Sequence, residues 1–347
     1  MKLSIICYLS DDKKLNQTTV EALEKMASYS LEHDNQVTVA GKHVDKKYNN
    51  GKKDSVTASY EVEIILNTDR VRDDRSWYEN VITRIGNHAF TSKVNKETYV
   101  SEQDAHQKMA EKASGDYIMI IHAGDDISSN LAEVFVKGNV QCYDMDTYMI
   151  TKAFHDETFG AFRNYKKVTD GEDIKSFYII DLKSKYDCFP FGFGGVIIRA
   201  EAFKKQSVDP ALGLEAERDF MLRLMAKAMK TCFLPYATLT AYEYEEHDNT
   251  FYRGLYMREW YFESITDFWM PFLQEMKVTY GSIPVFIQYN FMYSVMARFN
   301  GNMDNKNKHV IEEGHGEEYL ELIGQALRLI EENIMLNRNK VVDCITG

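Results

Sequence analysis

Gly115–Ser128, GDYIMIIHAGDDIS, is the stretch on which the fold of this chain turns. Its centre, Tyr117 to Ile121, is continuously apolar without alternation, the pattern of a strand buried on both faces of a parallel sheet. The run ends in His122, Ala123 and Gly124 and then presents two carboxylates, Asp125 and Asp126. A strand that delivers acidic groups to its exit puts hard oxygen ligands where a nucleotide diphosphate lies in such sheets. A divalent cation there would neutralise a departing diphosphate. The same pair also reads as the cap of a turn or helix, assisted by Ser128 and Ser129. Taken alone, the stretch leaves both readings open.

Working outward, LSIICYL (3–9) and VEIILNTD (62–69) repeat the pattern of an apolar run closed by polar residues. Between them Thr18–Leu31 carries Val20, Leu23, Met26, Ala27 and Leu31 at near-helical spacing. The polar stretch 33–59, which includes VTVAGKHV, predicts an exposed excursion or a small hairpin. Gln103–Ala113 predicts a helix leading into the strand at Tyr117. Strands alternating with helices imply an α/β, doubly wound sheet whose ligands collect at the carboxyl ends of its strands. Further strand-like runs are TYMITKAF (147–154), GAFRNY (160–165) and, after a glycine turn, GFGGVIIRA (192–200). Leu212–Lys230 predicts a helix. Beyond about residue 255 the pattern changes to long aromatic helices over Met257–Phe299, broken by Pro271 and the 280–284 turn. A last amphipathic helix is expected over Glu317–Leu336. The expected division is a nucleotide-binding domain, 1–255, and a helical C-terminal module, 256–347.

Bulk composition narrows the function. The chain has 347 residues, 44% hydrophobic and 27% charged, which is ordinary globular balance and excludes a wholly disordered chain. Its 22 Tyr and 19 Phe suit surfaces on which rings stack against sugar faces, and equally suit an aromatic core. A net charge of -12 with scattered basic residues leaves no footprint for a nucleic-acid polymer. The 5 cysteines are dispersed without CxxC spacing and read as reduced thiols, so neither a disulfide frame nor a zinc site is indicated. The first apolar run is too short for a signal peptide and no stretch is long enough to span a bilayer. The expected location is therefore the cytoplasm, with any membrane role peripheral, at the inner face of the cell membrane.

Gly115–Ser128, with its Ala113-Ser114-Gly115-Asp116-Tyr117-Ile118 lead-in, resembles glycosyltransferase family 2, whose fold is GT-A: a Rossmann-like, doubly wound mixed sheet. On that family's Asp-x-Asp-Asp motif Asp125 takes the metal-binding position and Asp126 the next, while Ala123 stands at the first acidic position with His122 beside it. LSIICYLSDD resembles the first strand and nucleotide loop, which brings Tyr8 to the nucleoside. VEIILNTD resembles the second strand, whose Asn67, Thr68 and Asp69 would face base and ribose. HQKMAEKASGDY resembles the helix before the motif strand, with His106 and Gln107 where an Arg-Asn pair is common, so Gln107 joins the donor-binding set. GFGGVIIRAEAF (192–203) resembles the acceptor-side loop. LEAERDFMLRL (214–224) resembles the acidic catalytic motif, and counting back from Arg223 makes Glu217 the general base, with Glu215 and Asp219 as alternatives. AYEYEEHDNTFYR (241–253) resembles the following stretch, in which His247 would complete the metal shell and Arg253 would clamp a phosphate. YGSIPVFIQYNFMYSVMARFN (280–300) is similar to helices found after such domains in bacterial teichoic-acid and capsule polymerases, implying a partner domain or oligomer contact through the C-terminal helices.

What the resemblance implies is an inverting, metal-dependent glycosyltransferase. It would use Mn2+ or Mg2+ and a nucleotide-sugar, a UDP-sugar foremost, and transfer the sugar to a hydroxyl of a bacterial surface glycan. The rival expectations are a glycerophospho- or nucleotidyl-transferring module of a polymerase, and a degenerate, non-catalytic glycan-binding scaffold.

Overall fold

The computed structural model describes residues 1–33, 35–40, 55–71, 75–86, 90–142, 145–154, 157–158, 177–186, 189–241, 254, 256–303, 310–311 and 314–337. In chain order its elements begin with β1 (Lys2–Tyr8), α1 (Lys13–His33), β2 (Gln36–Ala40), β3 (Ser55–Ser59), β4 (Glu61–Asn67), α2 (Arg75–Ile85) and β5 (Phe90–Asn95). There follow α3 (Glu102–Lys112), β6 (Tyr117–His122), β7 (Asp125–Ile127), α4 (Leu131–Cys142), β8 (Thr147–Phe154), β9 (Glu157–Thr158), β10 (Tyr178–Asp181), β11 (Val196–Arg199) and α5 (Ala200–Lys204). A 3-10 turn (Pro210–Glu215) leads into α6 (Ala216–Ala228) and β12 (Lys230–Ala241). The C-terminal helices are α7 (Arg258–Tyr261), a π-helical segment (Ser264–Trp269), α8 (Met270–Tyr280), α9 (Val285–Met303), α10 (Gly316–Leu327) and α11 (Glu332–Met335).

The apolar runs that predict buried strands become neighbours at the centre of one sheet, ordered β10-β12-β8-β11-β6-β1-β4-β5, with β7 paired to β12 and β9 to β8. Strands β6, β1, β4 and β5 run parallel; β11 is antiparallel to both β6 and β8. The sheet is therefore mixed, as the resemblance implies. Alternation along β1 sends Leu3, Ile5 and Cys7 to a core shared with Leu23 and Met26 of α1, and Ile6 and Tyr8 to the opposite core. That second core is continuous: Met109 of α3, Phe203 and Phe220 share it with Tyr261, Trp269, Phe286 and Phe291 of the C-terminal helices.

Parallel register fixes the site. Tyr8 at the end of β1 pairs with Asn67 at the end of β4 and with His122 at the end of β6, and Asn67 pairs with Asn95 of β5. Four strand ends thus form one polar row at the carboxyl edge, where the chain leaves β1 toward α1 and the sheet order switches direction.

Several local expectations need correction. Helix α1 begins at Lys13, not Thr18, because the Asp12 carboxylate accepts from the Lys14 and Leu15 amides at 2.7 and 3.1 Å and caps it. The 33–59 stretch does contain a hairpin, β2 with β3; residues 41–54 and the GAFRNY run lie outside the described residues. The single helix expected over Leu212–Lys230 is divided at Gly213, whose φ of 53° no regular helix accommodates, and stops at Met229, also left-handed at φ 54°. Pro271 does not break the helix. It sits in the first turn of α8, directly after the π-helical segment, whose wider turn relieves the ring's clash with the preceding carbonyls. The last helix ends at Leu327 and resumes as α11. Among the described residues no helix is long and apolar enough to cross a membrane.

Candidate active site

On one side of the polar row stand the residues expected to hold a nucleoside. The Tyr8 hydroxyl donates to Asp69 Oδ2 at 3.2 Å, the Arg70 guanidinium lies 4.8 Å from the Tyr8 ring centre, and Tyr99 meets that ring edge-on. Burial and the Asp69 hydrogen bond push the Tyr8 phenol up to about 12, so it remains a donor at neutral pH. Asn67 is fully buried; its Nδ2 donates to the Glu97 carbonyl at 2.9 Å and its Oδ1 accepts from the Asp69 amide at 3.0 Å. These bonds fix the loop after β4 that carries Asp69.

On the other side lies a cluster drawn from four separate elements. Glu217 sits in the first turn of α6, where the helix dipole favours an anion. Its Oε1 is 3.1 Å from His122 Nε2 and 3.7 Å from His106 Nδ1, and its Oε2 accepts from the Phe193 amide at 3.1 Å. The glycine loop makes room for this carboxylate: a Cβ on Gly192 would fall 2.7 Å from Glu217 Oε2. His106 projects from α3 into the core with its side chain wholly buried, and Glu102, one turn earlier, brings Oε1 to 3.8 Å from His106 Nε2. The side chains of His122, Glu102 and Glu217 retain 33%, 31% and 20% of their exposure, so the cluster opens to solvent over His106.

Burial alone would push the Glu217 carboxyl up. The His122 charge and hydrogen bond, with help from His106 and the Phe193 amide, outweigh it and hold the group at about 2. His122 answers in the opposite sense: burial disfavours its charge, but Glu217 and Asp125 raise it well above the ordinary histidine value. His106 goes down, chiefly by burial. At neutral pH the site therefore holds a carboxylate, an imidazolium and a neutral imidazole side by side.

The other two acidic residues of the 214–224 stretch have different work. Glu215 accepts from Ser264 Oγ at 2.7 Å, Arg298 Nη2 at 3.0 Å and Arg218 Nη1 at 2.9 Å, all inside the core. Asp219 binds Arg223 Nε at 2.8 Å, and Arg223 in turn makes a two-pronged contact with Glu275. Only Glu217 of the three faces the polar row.

The carboxylates singled out at the β6 exit have different neighbours. Gly124, at φ 98°, reverses the chain, so that Asp125 Oδ2 accepts from the His122 amide at 2.8 Å and lies 3.6 Å from His122 Nδ1. Asp126, next along β7, stands toward Lys25 and Glu21 of α1, and burial raises its carboxyl. An oxygen-rich, six-coordinate ion of the Mg2+ type needs several free carboxylate or water ligands. At Asp125 the described residues supply one carboxylate, already half engaged, so the fit there is poor. Gln107 is likewise engaged: its Nε2 donates to Glu111 at 2.9 Å and its Oε1 accepts from the Val208 amide at 3.1 Å, fastening α3 to the 206–208 loop. His247 and Arg253 lie outside the described residues.

No family model matches the chain and no curated protein matches it. Solved structures do. The crystal structure of S. aureus TarS 1–349 superposes with a TM-score of 0.56 at 10% identity, over 99% of this chain and 89% of that one. The same TarS fragment in complex with UDP-GlcNAc gives the same TM-score, 0.56, and the same coverage. Longer S. aureus TarS aligns over 96% of this chain and 50% of its own length, with a TM-score of 0.50. The fold is GT-A. The likeness to TarS includes the helices after residue 255, since it runs over nearly the whole chain.

The family resemblance marks His106 only as a departure from a motif, and His122 only as the neighbour of Ala123. Within the GT-A frame both are central. A histidine on the apolar stripe of a helix, with Ala105, Met109 and Ala110 around it, was the available signal for His106; for His122 it was the strand's last position, level with Tyr8 and Asn67.

Proposed function

We propose that the chain is a glycosyltransferase that moves a sugar from a nucleotide-sugar, of the UDP class, to a hydroxyl of a bacterial surface glycan, with inversion at the anomeric carbon. The observation that carries this reading is the convergence of Glu217 and His122 at the end of the polar row, in a fold shared along nearly its full length with TarS, which has been crystallised with UDP and with UDP-GlcNAc.

In this reading the nucleoside rests against Tyr8 and Asp69, with Asn67 fixing the loop beneath it, and the diphosphate lies toward His122. The imidazolium there offers positive charge to the oxygen that becomes negative as the glycosidic bond breaks. The acceptor hydroxyl approaches from the glycine loop at 192–195, and Glu217 takes its proton as the oxygen attacks. A carboxyl held at about 2 is a weak base while His122 is bound to it alone. Once the diphosphate shares the His122 charge, the depression lessens and Glu217 becomes a better proton acceptor. The partly enclosed setting strengthens each of these charge interactions relative to open water.

A panel of nucleotide-sugars scored for released nucleoside diphosphate tests the reading. The parent should release UDP from one donor; Glu217→Gln should bind that donor as the parent does yet turn it over about 10²- to 10⁴-fold more slowly. Release of a nucleoside monophosphate instead would favour a phosphotransferase, and absence of any nucleotide binding a non-catalytic scaffold.

A further inference from the structure

We infer that Glu102, His106 and His122 form a binding site for a divalent transition-metal ion of the zinc class, distinct from the Asp125 position. It concerns the same crevice as the proposed donor site, and rests on that reading only for the ion's place opposite the diphosphate.

The three side chains lie close enough together to share an ion. One ligand atom from each of the three side chains can be chosen so that all lie within 4.8 Å of one another, and the nearest contacts in and beside the set are 3.1 Å (His122 to Glu217), 3.7 Å (His106 to Glu217) and 3.8 Å (His106 to Glu102). Zinc with ligand bonds of about 2.1 Å holds its tetrahedral ligands about 3.4 Å apart, so small side-chain adjustments close the set.

His106 supplies the independent reason to expect a ligand. Its ring is wholly buried, yet neither Nδ1 nor Nε2 makes a hydrogen bond. Two orphaned nitrogens in a core are costly, and a metal bond satisfies one of them outright. The other nitrogen then faces a carboxylate. With Nε2 on the ion beside Glu102, Nδ1 turns toward Glu217 Oε1, the carboxylate–imidazole–metal arrangement that fixes ring orientation and raises ligand basicity. Metal binding displaces the His122 proton, so in the loaded protein His122 is a neutral ligand and the ion supplies the positive charge that faces the diphosphate. Two imidazoles and one carboxylate select a borderline ion over Mg2+ or Ca2+, which prefer oxygen shells. Three protein ligands also leave a coordination position facing solvent, where a phosphate oxygen can enter.

Untagged full-length protein, stripped with chelator, should take up one equivalent of Co2+ with the intense visible absorption of a low-coordinate site. Zn2+ should displace it and excess Mg2+ should not. Glu102→Gln and His122→Gln, both partly exposed and checked for parent-like melting, should each weaken Co2+ binding at least tenfold, whereas Asp125→Asn should bind as the parent does. His106→Ala is avoided as the primary variant because it also opens a core cavity. No saturable Co2+ spectrum, or loss of binding in Asp125→Asn with Glu102→Gln unaffected, would overturn the assignment. Donor turnover plays no part in this readout, so failure here is separate from failure of the glycosyltransferase reading.

Discussion

Glu217 is a helix-start acid whose two oxygens have different partners: a main-chain amide fixes one and His122 the other. The pair makes stability depend on pH in two directions. Glu217 is lowered from its ordinary 4.5 to about 2, so its contribution is complete above 4.5 and is lost as pH falls toward 2. His122 is raised, so its contribution is complete below its ordinary 6.5 and is lost as pH rises through its folded value. The stability difference between the parent and His122→Gln, measured by urea unfolding, should therefore be largest between about pH 4.5 and 6.5 and shrink on both sides. A difference independent of pH would contradict the ion pair. Gly192 belongs at this scale as well. Because a methyl group there would fall 2.7 Å from Glu217 Oε2, Gly192→Ala should shift the carboxylate, leaving the fold intact by circular dichroism but cutting donor turnover at least tenfold.

Elements bring these residues together, and here sequence legibility divides. Strands β1, β4 and β6 were readable because uninterrupted apolar runs with polar ends have few other uses, and parallel register then aligned Tyr8, Asn67 and His122 without further information. Asp125 and Asp126 are adjacent in sequence but not joined in space, since neighbouring positions on a strand point to opposite sides. His106 and His122 cannot be paired from sequence, since only the packing of α3 against the sheet, over β1, brings their rings to 5.5 Å. Helix α6 is anchored at its start by Glu215, which binds Arg218, Arg298 and Ser264 in the core. Removing one partner strands a buried charge, so Glu215→Gln or Arg298→Met should each cost about 3–5 kcal/mol in denaturant unfolding, and the double variant less than their sum. Additive losses would mean that the two side chains do not act as a pair.

For the whole molecule, the expected boundary near residue 255 separates two patterns of sequence, but the apolar core runs through it. Trp269, Phe286 and Phe291 share one cluster with Phe203 and Phe220 of the sheet side. A chain ending at Leu255 would expose that face, and should recover mostly as insoluble protein or as a dye-binding, poorly packed state. A soluble truncated chain with parent-like near-UV circular dichroism would show instead that the sheet half folds alone. Part of the Tyr and Phe content goes into this packing, in which Phe286 and Phe291 are fully buried. A sugar donor lying along the polar row would have its diphosphate beside His122 and its anomeric carbon within reach of the acceptor side of Glu217. The most direct measurement is a crystal structure of Glu217→Gln soaked with UDP-GlcNAc. The uracil should lie against Tyr8 and Asp69 and the diphosphate in contact with His122; a donor bound elsewhere, with this crevice empty, would contradict the proposed donor site.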